Sequence, residues 1–430
     1  MHIHVVRSGQ TLYSIGQEYG VPAGLIARYN GLREPYRLAV GQALLILKPL
    51  LTYRVRAGDT LYTIAKRFGV SVLELWRNNP NLQGGTRIYP EQVLVIRLEE
   101  ARTRPVWVEG YAYPYVTDSV LRGILPDAGW LVPFTYGVAE DSSLVMADDT
   151  ALIAMAREYG VSPLLHLSTL TETGSFSRRR AQEVLSSPAK TQALVQNAVQ
   201  QMVQQGYDGI DVDFEFLGAE LREAYAGFVA QLRAAVNEAG GILIAALAPK
   251  TSAAQAGALY EGHDYALIGQ SADAVLLMTY EWGYTYGPPM AVAPLGSVRR
   301  VLDYAVTEIP PEKILMGFPN YAYDWSLPYQ AGQTRAQSIG NETAVQLAVQ
   351  VGAEIRYDRT AHTPYFVYTA PDGTAHEVWF EDARSCLEKF KLVEEYGFRG
   401  LGFWNFMRPF TACFSLMNYM FSIVTPAQDA

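Results

Sequence analysis

Hydrophobic and polar positions follow the same order twice within the first hundred residues. The string VVRSGQTLYSIGQEYGV at 5–21 reappears as RVRAGDTLYTIAKRFGV at 54–70. In each copy a short alternating strand leads into a helix, and a second short helix and an apolar closing strand follow, QALLIL at 42–47 or QVLVI at 92–96. The pattern therefore predicts two small β-α-α-β modules, at residues 2–48 and 52–97.

Turn and cap residues mark where the elements of each module begin and end. Gly9 and Gly58 each supply a turn, and the first helix begins at Thr11 or Thr60, where the hydroxyl or the Asp59 carboxylate can cap free backbone N–H groups. A glycine fits the end of this helix in each module, namely Gly20 or Gly69. The second helix ends near an asparagine, Asn30 or Asn79.

The pattern changes after the charged linker RLEEARTR at 97–104, where short apolar runs begin to alternate with helical stretches. This alternation predicts an α/β fold with a parallel sheet, and eight strands indicate a (β/α)8 TIM barrel at 104–425. The long gap before the last strand predicts a small α+β insertion at about 323–390, with a hairpin at 365–380. The predicted barrel strands are 106–113, 130–138, 163–168, 209–215, 242–249, 274–280, 314–321 and 400–406.

The composition limits the classes of partner but says little about the fold. The 430 residues are 49% hydrophobic and 18% charged, with a net charge of -9, which argues against nucleic acid as the main partner. Cys386 and Cys413 are expected to be buried thiols, and nothing indicates a disulfide framework, a metal site or a cofactor. The start MHIHVVRSGQ has no signal-peptide pattern, and no apolar run reaches the ~18 residues of a membrane span. Oligomeric state stays open.

The strings GQTLYSIGQEYGV and GDTLYTIAKRFGV, each with its following asparagine, resemble the LysM module. This resemblance implies binding of N-acetylglucosamine chains, as in peptidoglycan or chitin. The groove would lie between the loops after Gly9 and Gly58 and the loops before the closing strands. The alternative is that the repeats are structural spacers, since turns, caps and cores explain most of these positions. The candidate glycan-binding residues are Gly9, Thr11, Asn30, Gly58, Asp59, Thr60 and Asn79.

The fourth predicted barrel strand carries the candidate chemistry. DGIDVDFE at 208–215 places Asp211, Asp213 and Glu215 on one face, because alternate side chains of a strand share a face. Burying three carboxylates together is costly, and their repulsion keeps one of them protonated. Glu215 comes last, at the mouth where barrel active sites form, so it is the candidate proton donor. Asp208 faces the other way and is assigned a structural role.

The acidic positions of 208–215 match the DxxDxDxE signature of glycoside hydrolase family 18, which the chain resembles over about 104–425. The resemblance implies a retaining, substrate-assisted reaction, in which the 2-acetamido oxygen of the sugar is the nucleophile. Glu215 would act as acid and then base, Asp213 would orient the acetamide and stabilise positive charge, and Asp211 would tune Asp213. Tyr280 would hydrogen-bond the acetamide carbonyl.

The same resemblance, with MTYEW at 278–282, supplies candidate substrate contacts, among which Trp404 would be the apolar floor. Glu281 stands where most of the family has aspartate. His166 is interpreted as a core histidine rather than a catalyst. The candidate substrate-binding residues are Tyr111, Met278, Glu281, Asn320, Tyr321 and Trp404. Further aromatic side chains that either line a cleft or belong to the core are Tyr113, Tyr136, Tyr323 and Trp325.

Two LysM-like modules before such a barrel, together with HEVWFEDARS at 376–385, resemble the spore cortex-fragment-lytic group of N-acetylglucosaminidases. This resemblance implies action on muramic-δ-lactam-containing peptidoglycan during germination, and a location in the spore coat or cortex or at the cell wall. Two alternatives stay open. A chitinase needs the same catalytic residues, and a noncatalytic glycan-binding protein is the other, although Glu215 is present.

Overall fold

The computed structural model describes residues 1–99, 102–171 and 176–426. Residues 100 and 101 of the predicted linker lie outside the described residues. Within the described ranges, no helix is both long and apolar enough to cross a membrane.

Both N-terminal repeats fold as predicted, each with an antiparallel pair of strands beside two helices. The first, module 1, consists of strand His2–Val5, helices Leu12–Tyr19 and Ala23–Tyr29, and strand Ala43–Ile46. The second, module 2, consists of strand Pro49–Arg54, helices Leu61–Phe68 and Val72–Asn78, and strand Val93–Leu98.

The cap predictions for the first helices are confirmed. The Thr11 and Thr60 hydroxyls accept the backbone N–H three residues on in each helix, at 3.1 Å in both modules. Gly20 and Gly69 end these helices in the left-handed region, at φ 66° and 62°. The Asp59 carboxylate does not cap the helix, because it accepts the backbone N–H of Arg56 at 2.8 Å instead.

A parallel barrel forms the body of the chain, which confirms the predicted (β/α)8 fold. Its third strand is interrupted at Leu164. The first half pairs with the second strand and the second half pairs with the fourth, so the two halves together close the barrel. The barrel strands are Pro105–Ala112, Trp130–Pro133, Ser162–Pro163 with Leu165–Ser168, Gly209–Asp213, Ile242–Leu247, Ala274–Leu277, Ile314–Pro319 and Gly400–Trp404.

Helices cover the outside of the barrel, and short strands extend it at its edges. The helices are Asp118–Ile124, Thr150–Glu158, Arg178–Leu185, Pro188–Gln205, Arg222–Glu238, Tyr265–Ser271, Leu295–Glu308, Ala383–Tyr396 and Thr411–Met420. A two-stranded ribbon joins Gly137–Val138 to Leu144–Val145, and Ser422–Ile423 pairs with the start of the first barrel strand.

The insertion before the last barrel strand is a five-stranded antiparallel sheet with one helix, Asn341–Val351. In spatial order its strands are Gln337–Ile339, Ala322–Leu327, Ala375–Trp379, Thr363–Thr369 and Arg356–Asp358. The predicted hairpin across Pro371, Asp372 and Gly373 is present. Tyr323 and Trp325 lie on the strand that leaves the barrel, so the insertion extends the wall of the barrel mouth.

Module 2 packs directly on the barrel. The Arg77 guanidinium donates from Nε to the Pro126 carbonyl at 2.7 Å and lies 3.9 Å from the Asp127 carboxylate. Burial raises the pKa of Asp127 to about 7. The Tyr159 hydroxyl donates to the Gly84 carbonyl at 2.8 Å. Module 2 is therefore fixed to the surface of the catalytic barrel.

Candidate active site

The fourth barrel strand places its acidic residues as the alternation predicts. Phe214, which alternates with them, packs outward and stacks on Phe228 of the following helix at 5.3 Å. Asp211 and Asp213 are buried inside the barrel, and Glu215 is half-buried just beyond the end of the strand at Asp213. An outward apolar set thus directs the carboxylates inward.

Asp211 lies at the bottom of this group. Its Oδ2 accepts the Tyr111 hydroxyl at 3.0 Å and lies 3.5 Å from His166 Nε2. Burial, and after it the neighbouring Glu109 carboxyl, raise the pKa of Asp211. Both effects favour the protonated form of Asp211, which lies two residues before Asp213 on the same strand.

Burial raises the pKa of both Asp213 and Glu215, and the Asp213 carboxylate adds to the effect on Glu215. The backbone before Glu215 is held by His263. This imidazole accepts the Ala248 N–H at Nδ1, so its Nε2–H donates to the Phe214 carbonyl at 2.9 Å. A carboxyl that keeps its proton near neutral pH, on a fixed backbone, is suited to general acid catalysis.

His166 is a core histidine, as interpreted from the sequence, but it also contacts the acidic group. Its Nε2 lies 3.7 Å from Asp213 Oδ2, and its Nδ1 lies 2.5 Å from Thr135 Oγ1. Burial lowers the pKa of His166 to about 4, so the ring is neutral. The signal that sequence reasoning missed is strand register, because His166 pairs directly with Asp211 on the neighbouring parallel strand.

Glu109 is a fourth inward carboxyl that sequence reasoning did not single out. It lies two residues before Tyr111 on the first barrel strand and is fully buried. Within the described part of the chain, neither carboxyl oxygen of Glu109 has a hydrogen-bond partner. Burial raises its pKa to about 8, so the side chain is neutral around pH 7. The alternation that revealed Asp211 also marks Glu109.

A cleft of about 340 Å³ opens above these carboxylates at the mouth of the barrel. It brings together the predicted residues Tyr111, Met278, Tyr280, Glu281 and Trp404 with Asp213 and Glu215. Sequence reasoning missed much of its apolar lining, which comes from loops after other strands. The residues that line the cleft are Tyr111, Tyr113, Phe134, Phe176, Asp213, Glu215, Ala246, Pro249, Leu259, Tyr260, Met278, Tyr280, Glu281, Trp282 and Trp404.

Glu281 stands at the junction of the cleft with a second cavity of about 320 Å³, which it lines together with Tyr321 and Tyr323. The Tyr321 hydroxyl donates to Glu281 Oε1, and the Tyr323 hydroxyl lies 3.2 Å from the same oxygen. Burial raises the pKa of Glu281. The Glu281 side chain, which is longer than the aspartate of most of the family, is therefore fixed by two tyrosines.

Three further predicted candidates line neither the cleft nor the second cavity. Asn320 is fully buried and donates from Nδ2 to the Asn405 and Arg408 carbonyls, both at 2.8 Å, so it holds the loop after Trp404 rather than contacting substrate. Tyr136 is fully buried beside Tyr207 on the outer side of the barrel, and Trp325 is fully buried with its Nε1 donating to the Gly287 carbonyl.

The LysM candidates fall into two sets. Gly9, Thr11, Gly58 and Thr60 are exposed and Asp59 is half-buried, all on the loops after the first strands. By contrast, Asn30 and Asn79 use their amide groups within the modules. Each donates to two backbone carbonyls and accepts one backbone N–H of the closing strand, and Asn79 is fully buried. These asparagines join helix to strand, and their amide groups bond within each module rather than facing a glycan.

The structure also locates the two cysteines and Asp208. Cys386 and Cys413 are both buried free thiols, as expected. In the described ranges, no group of three or more histidine, cysteine or acidic side chains is placed to hold a metal ion. Asp208, on the outer face of the fourth strand, forms a two-pronged ion pair with Arg157.

Comparison with known families decides the class of enzyme. The family model for glycosyl hydrolases family 18 matches residues 166–408, more than half of the chain. The chain belongs to glycosyl hydrolases family 18. It is accordingly a glycoside hydrolase, and the LysM domain model matches its residues 4–47 and 53–97. The predicted family and the two predicted LysM modules are confirmed.

Two of the similar proteins match this glycosyl hydrolase over nearly its whole length. It is 36% identical over 430 residues to the cortical fragment-lytic enzyme of Bacillus subtilis (strain 168), covering 99% of each chain. It matches the crystal structure of the Bacillus megaterium spore cortex-lytic enzyme SleL with a TM-score of 0.83 and 35% identity, over 98% of both chains. The chitinase of Chromobacterium violaceum matches 72% of this chain and 98% of its own, with a TM-score of 0.66 and 25% identity.

Proposed function

We propose that this family 18 enzyme is an N-acetylglucosaminidase that cuts cortex peptidoglycan fragments of bacterial endospores, including fragments with muramic δ-lactam. The observation that carries the proposal is the stack of Asp211, Asp213 and Glu215 beneath an aromatic cleft, in a chain similar over 99% of its length to a cortical fragment-lytic enzyme. The enzyme would accordingly work at the spore cortex or cell wall.

In the proposed reaction Glu215 protonates the glycosidic oxygen while the 2-acetamido oxygen attacks the anomeric carbon. The raised pKa of Glu215 supports this role, since the side chain keeps its proton near neutral pH. Water then opens the oxazolinium intermediate, and the Glu215 carboxylate takes up a proton from that water. No side-chain nucleophile is needed.

Asp213 and Asp211, which lie deeper in the barrel than Glu215, are proposed to stabilise the positive charge that develops on the sugar. Asp213 accepts a hydrogen bond from the acetamide N–H and stabilises the positive intermediate. Asp211 shares a proton with Asp213, which the Tyr111 hydroxyl and the neutral His166 support from below. The position of Tyr280 in the cleft wall suits a hydrogen bond to the acetamide oxygen.

The sugar ring is proposed to sit on Trp404, which packs against Tyr111 at 5.4 Å and Phe134 at 5.0 Å. An indole fixed by aromatic neighbours gives the apolar face of a pyranose a rigid stacking surface. Together with the acetamide contacts, this favours an N-acetylglucosamine residue in the cleft.

Chitin turnover is the second candidate, because the same carboxylates require only a 2-acetamido sugar. The structural similarity to a chitinase over 72% of this chain favours it. The distinction between the two substrates lies in the sugar beside the cleaved bond.

The test is mass spectrometry of the products that the full chain and Glu215→Gln release from soluble cortex fragments and from chitin oligosaccharides. We expect muropeptides that end in reducing N-acetylglucosamine, and a rate about 100- to 10,000-fold lower for Glu215→Gln. Glu220→Gln, which changes an exposed carboxylate five residues away, is the matched control and should retain activity. Products from chitin alone would assign the chain as a chitinase, and full activity of Glu215→Gln would remove Glu215 from the donor role.

A further inference from the structure

The two LysM modules carry equivalent loops just before their closing strands, residues 36–42 in module 1 and 86–92 in module 2. In the first, the Gln42 N–H donates to the Ala39 carbonyl at 3.2 Å, and the Gln42 side chain accepts the Ala39 N–H at 3.1 Å. The second has the same pair of bonds between Gln92 and Tyr89, at 3.1 and 3.0 Å. Ala39 and Tyr89 therefore occupy the same position in one shared loop conformation.

The module 1 loop is built into the insertion. Ala39 is 5% exposed and belongs to the hydrophobic core that includes Ala344, Ile355 and Phe366. The Ile355 N–H donates to the carbonyl of Val40 at 2.9 Å, which joins the backbone of the loop to that of the insertion. One wall of the predicted groove in module 1 is thus committed to a protein contact.

A glycine makes this contact possible. Gly41 has φ 81°, and a Cβ atom there would lie 1.8 Å from the Ile355 carbonyl oxygen. Module 2 has Glu91 at the equivalent position, with φ 70° and an exposed side chain. The same loop with glutamate cannot approach a surface as module 1 does, so the difference in sequence matches the difference in docking.

The module 2 loop remains open to solvent. Tyr89 is 59% exposed, and Arg87, Pro90 and Glu91 are exposed around it. Module 2 contacts the barrel through other parts, namely its second helix and Gly84. The loop after its first strand, with Arg56, Ala57, Gly58 and Thr60 exposed, is open as well.

We propose that the two modules have different tasks: module 2 alone binds the N-acetylglucosamine-containing strand, between loops 56–60 and 86–92, and module 1 fixes the insertion to the N-terminal region. Tyr89 supplies an aromatic face for a pyranose ring, and module 1 has the small, buried Ala39 in that place. This inference rests on the proposed glycan substrate.

The insertion connects module 1 to the active site. The core that receives Ala39 also contains Ala322, on the strand that carries Tyr323 into contact with Glu281. Module 1 therefore supports one wall of the barrel mouth, while module 2 holds the polymer.

The test measures retention of the full chain on insoluble cortex peptidoglycan, in a Glu215→Gln background so that hydrolysis does not release the protein. Ser8 and Ala57 are exposed residues that precede the equivalent turn glycines. They allow a matched pair of substitutions, Ser8→Trp and Ala57→Trp, each of which crowds one groove. We expect Ala57→Trp and Tyr89→Ala each to weaken retention ~10-fold, and Ser8→Trp to leave it within about twofold.

Equal losses from Ser8→Trp and Ala57→Trp would overturn the division of tasks, as would unchanged retention of both Ala57→Trp and Tyr89→Ala. Thermal melting of each variant separates lost binding from lost folding. Product release from soluble fragments by the chain with Glu215 intact reports the proposed function independently. Turnover of soluble fragments without retention on insoluble cortex would overturn the inference about module 2 and leave the proposed function standing. Retention that Ala57→Trp abolishes, without any turnover, would support the inference and refute the proposed cortex activity.

Discussion

Module 1 and module 2 share one fold but contact different surroundings. Both cap the first helix with a threonine, end it with a left-handed glycine and join the second helix to the closing strand with an asparagine amide. They differ at positions that these internal contacts leave free, such as Ala39 against Tyr89 and Gly41 against Glu91. Residues that make the module are repeated, and residues that decide what it touches are not.

A second difference lies beside the turn that opens each first helix. In module 1 the Gln10 side chain accepts the Arg7 N–H at 2.8 Å and contacts His4 Nε2 at 2.9 Å. In module 2 the Asp59 carboxylate takes the equivalent place and accepts the Arg56 N–H at 2.8 Å and the Tyr53 hydroxyl at 2.7 Å. The turn is held in both, by a neutral amide in one and by a charge in the other.

Exchanging the docking residue should give the largest effect. We expect Gly41→Glu, which copies module 2, to lower the free energy of unfolding by about 3 kcal/mol, because the new side chain collides with Ile355. The reverse change, Glu91→Gly, should cost less than about 1 kcal/mol. Urea unfolding measures both. Equal costs would mean that the loops are docked alike.

Removing the asparagine amides should come next. Asn79→Ala leaves buried backbone groups of Leu75 and Val95 unsatisfied, and we expect a loss of about 2 to 3 kcal/mol. Asn30→Ala should cost less, because Asn30 is half-buried and Asn79 also accepts a bond from Arg28 at 3.2 Å. Calorimetry of the two variants checks the order, and a larger loss for Asn30→Ala would contradict it.

The helix caps should reveal no difference between the modules. We expect Thr11→Ala and Thr60→Ala each to cost about 1 kcal/mol, since each removes one side-chain acceptor at an exposed helix start. Denaturant unfolding is again the measurement. A cost confined to one module would show that the repeats fold differently despite their shared caps.

The smallest effect should depend on pH. The Tyr53 hydroxyl, the Arg56 N–H and Arg67 hold the pKa of Asp59 below its ordinary value of 3.8. Because the folded pKa is the lower one, this stabilisation is complete above the unfolded pKa and is lost as pH falls through the folded pKa. Asp59→Gln, which copies Gln10, should reduce the fall in melting temperature between pH 6 and about pH 3. An unchanged fall would exclude Asp59 as a source.

Patterns along a single strand or repeat were sufficient to predict the modules, the barrel and the stack of Asp211, Asp213 and Glu215. These patterns were not sufficient to predict contacts between different strands. His166 reaches Asp211 through the register of two strands, which no local pattern contains. The burial of Asn320 depends on where the loop after Trp404 passes, and the docking of Ala39 depends on an insertion hundreds of residues away.

The contact between Ala39 and Ile355 also sets an order of events during synthesis. More than 300 residues separate the two, so at the usual rate of roughly 5 to 20 residues per second the ribosome needs roughly 15 to 60 s to produce the partner. During that interval module 1 presents an apolar loop with nothing to cover it. The equivalent loop of module 2 stays open to solvent in the mature protein and waits for no partner. Chaperone demand should therefore concentrate on the first module of the nascent chain.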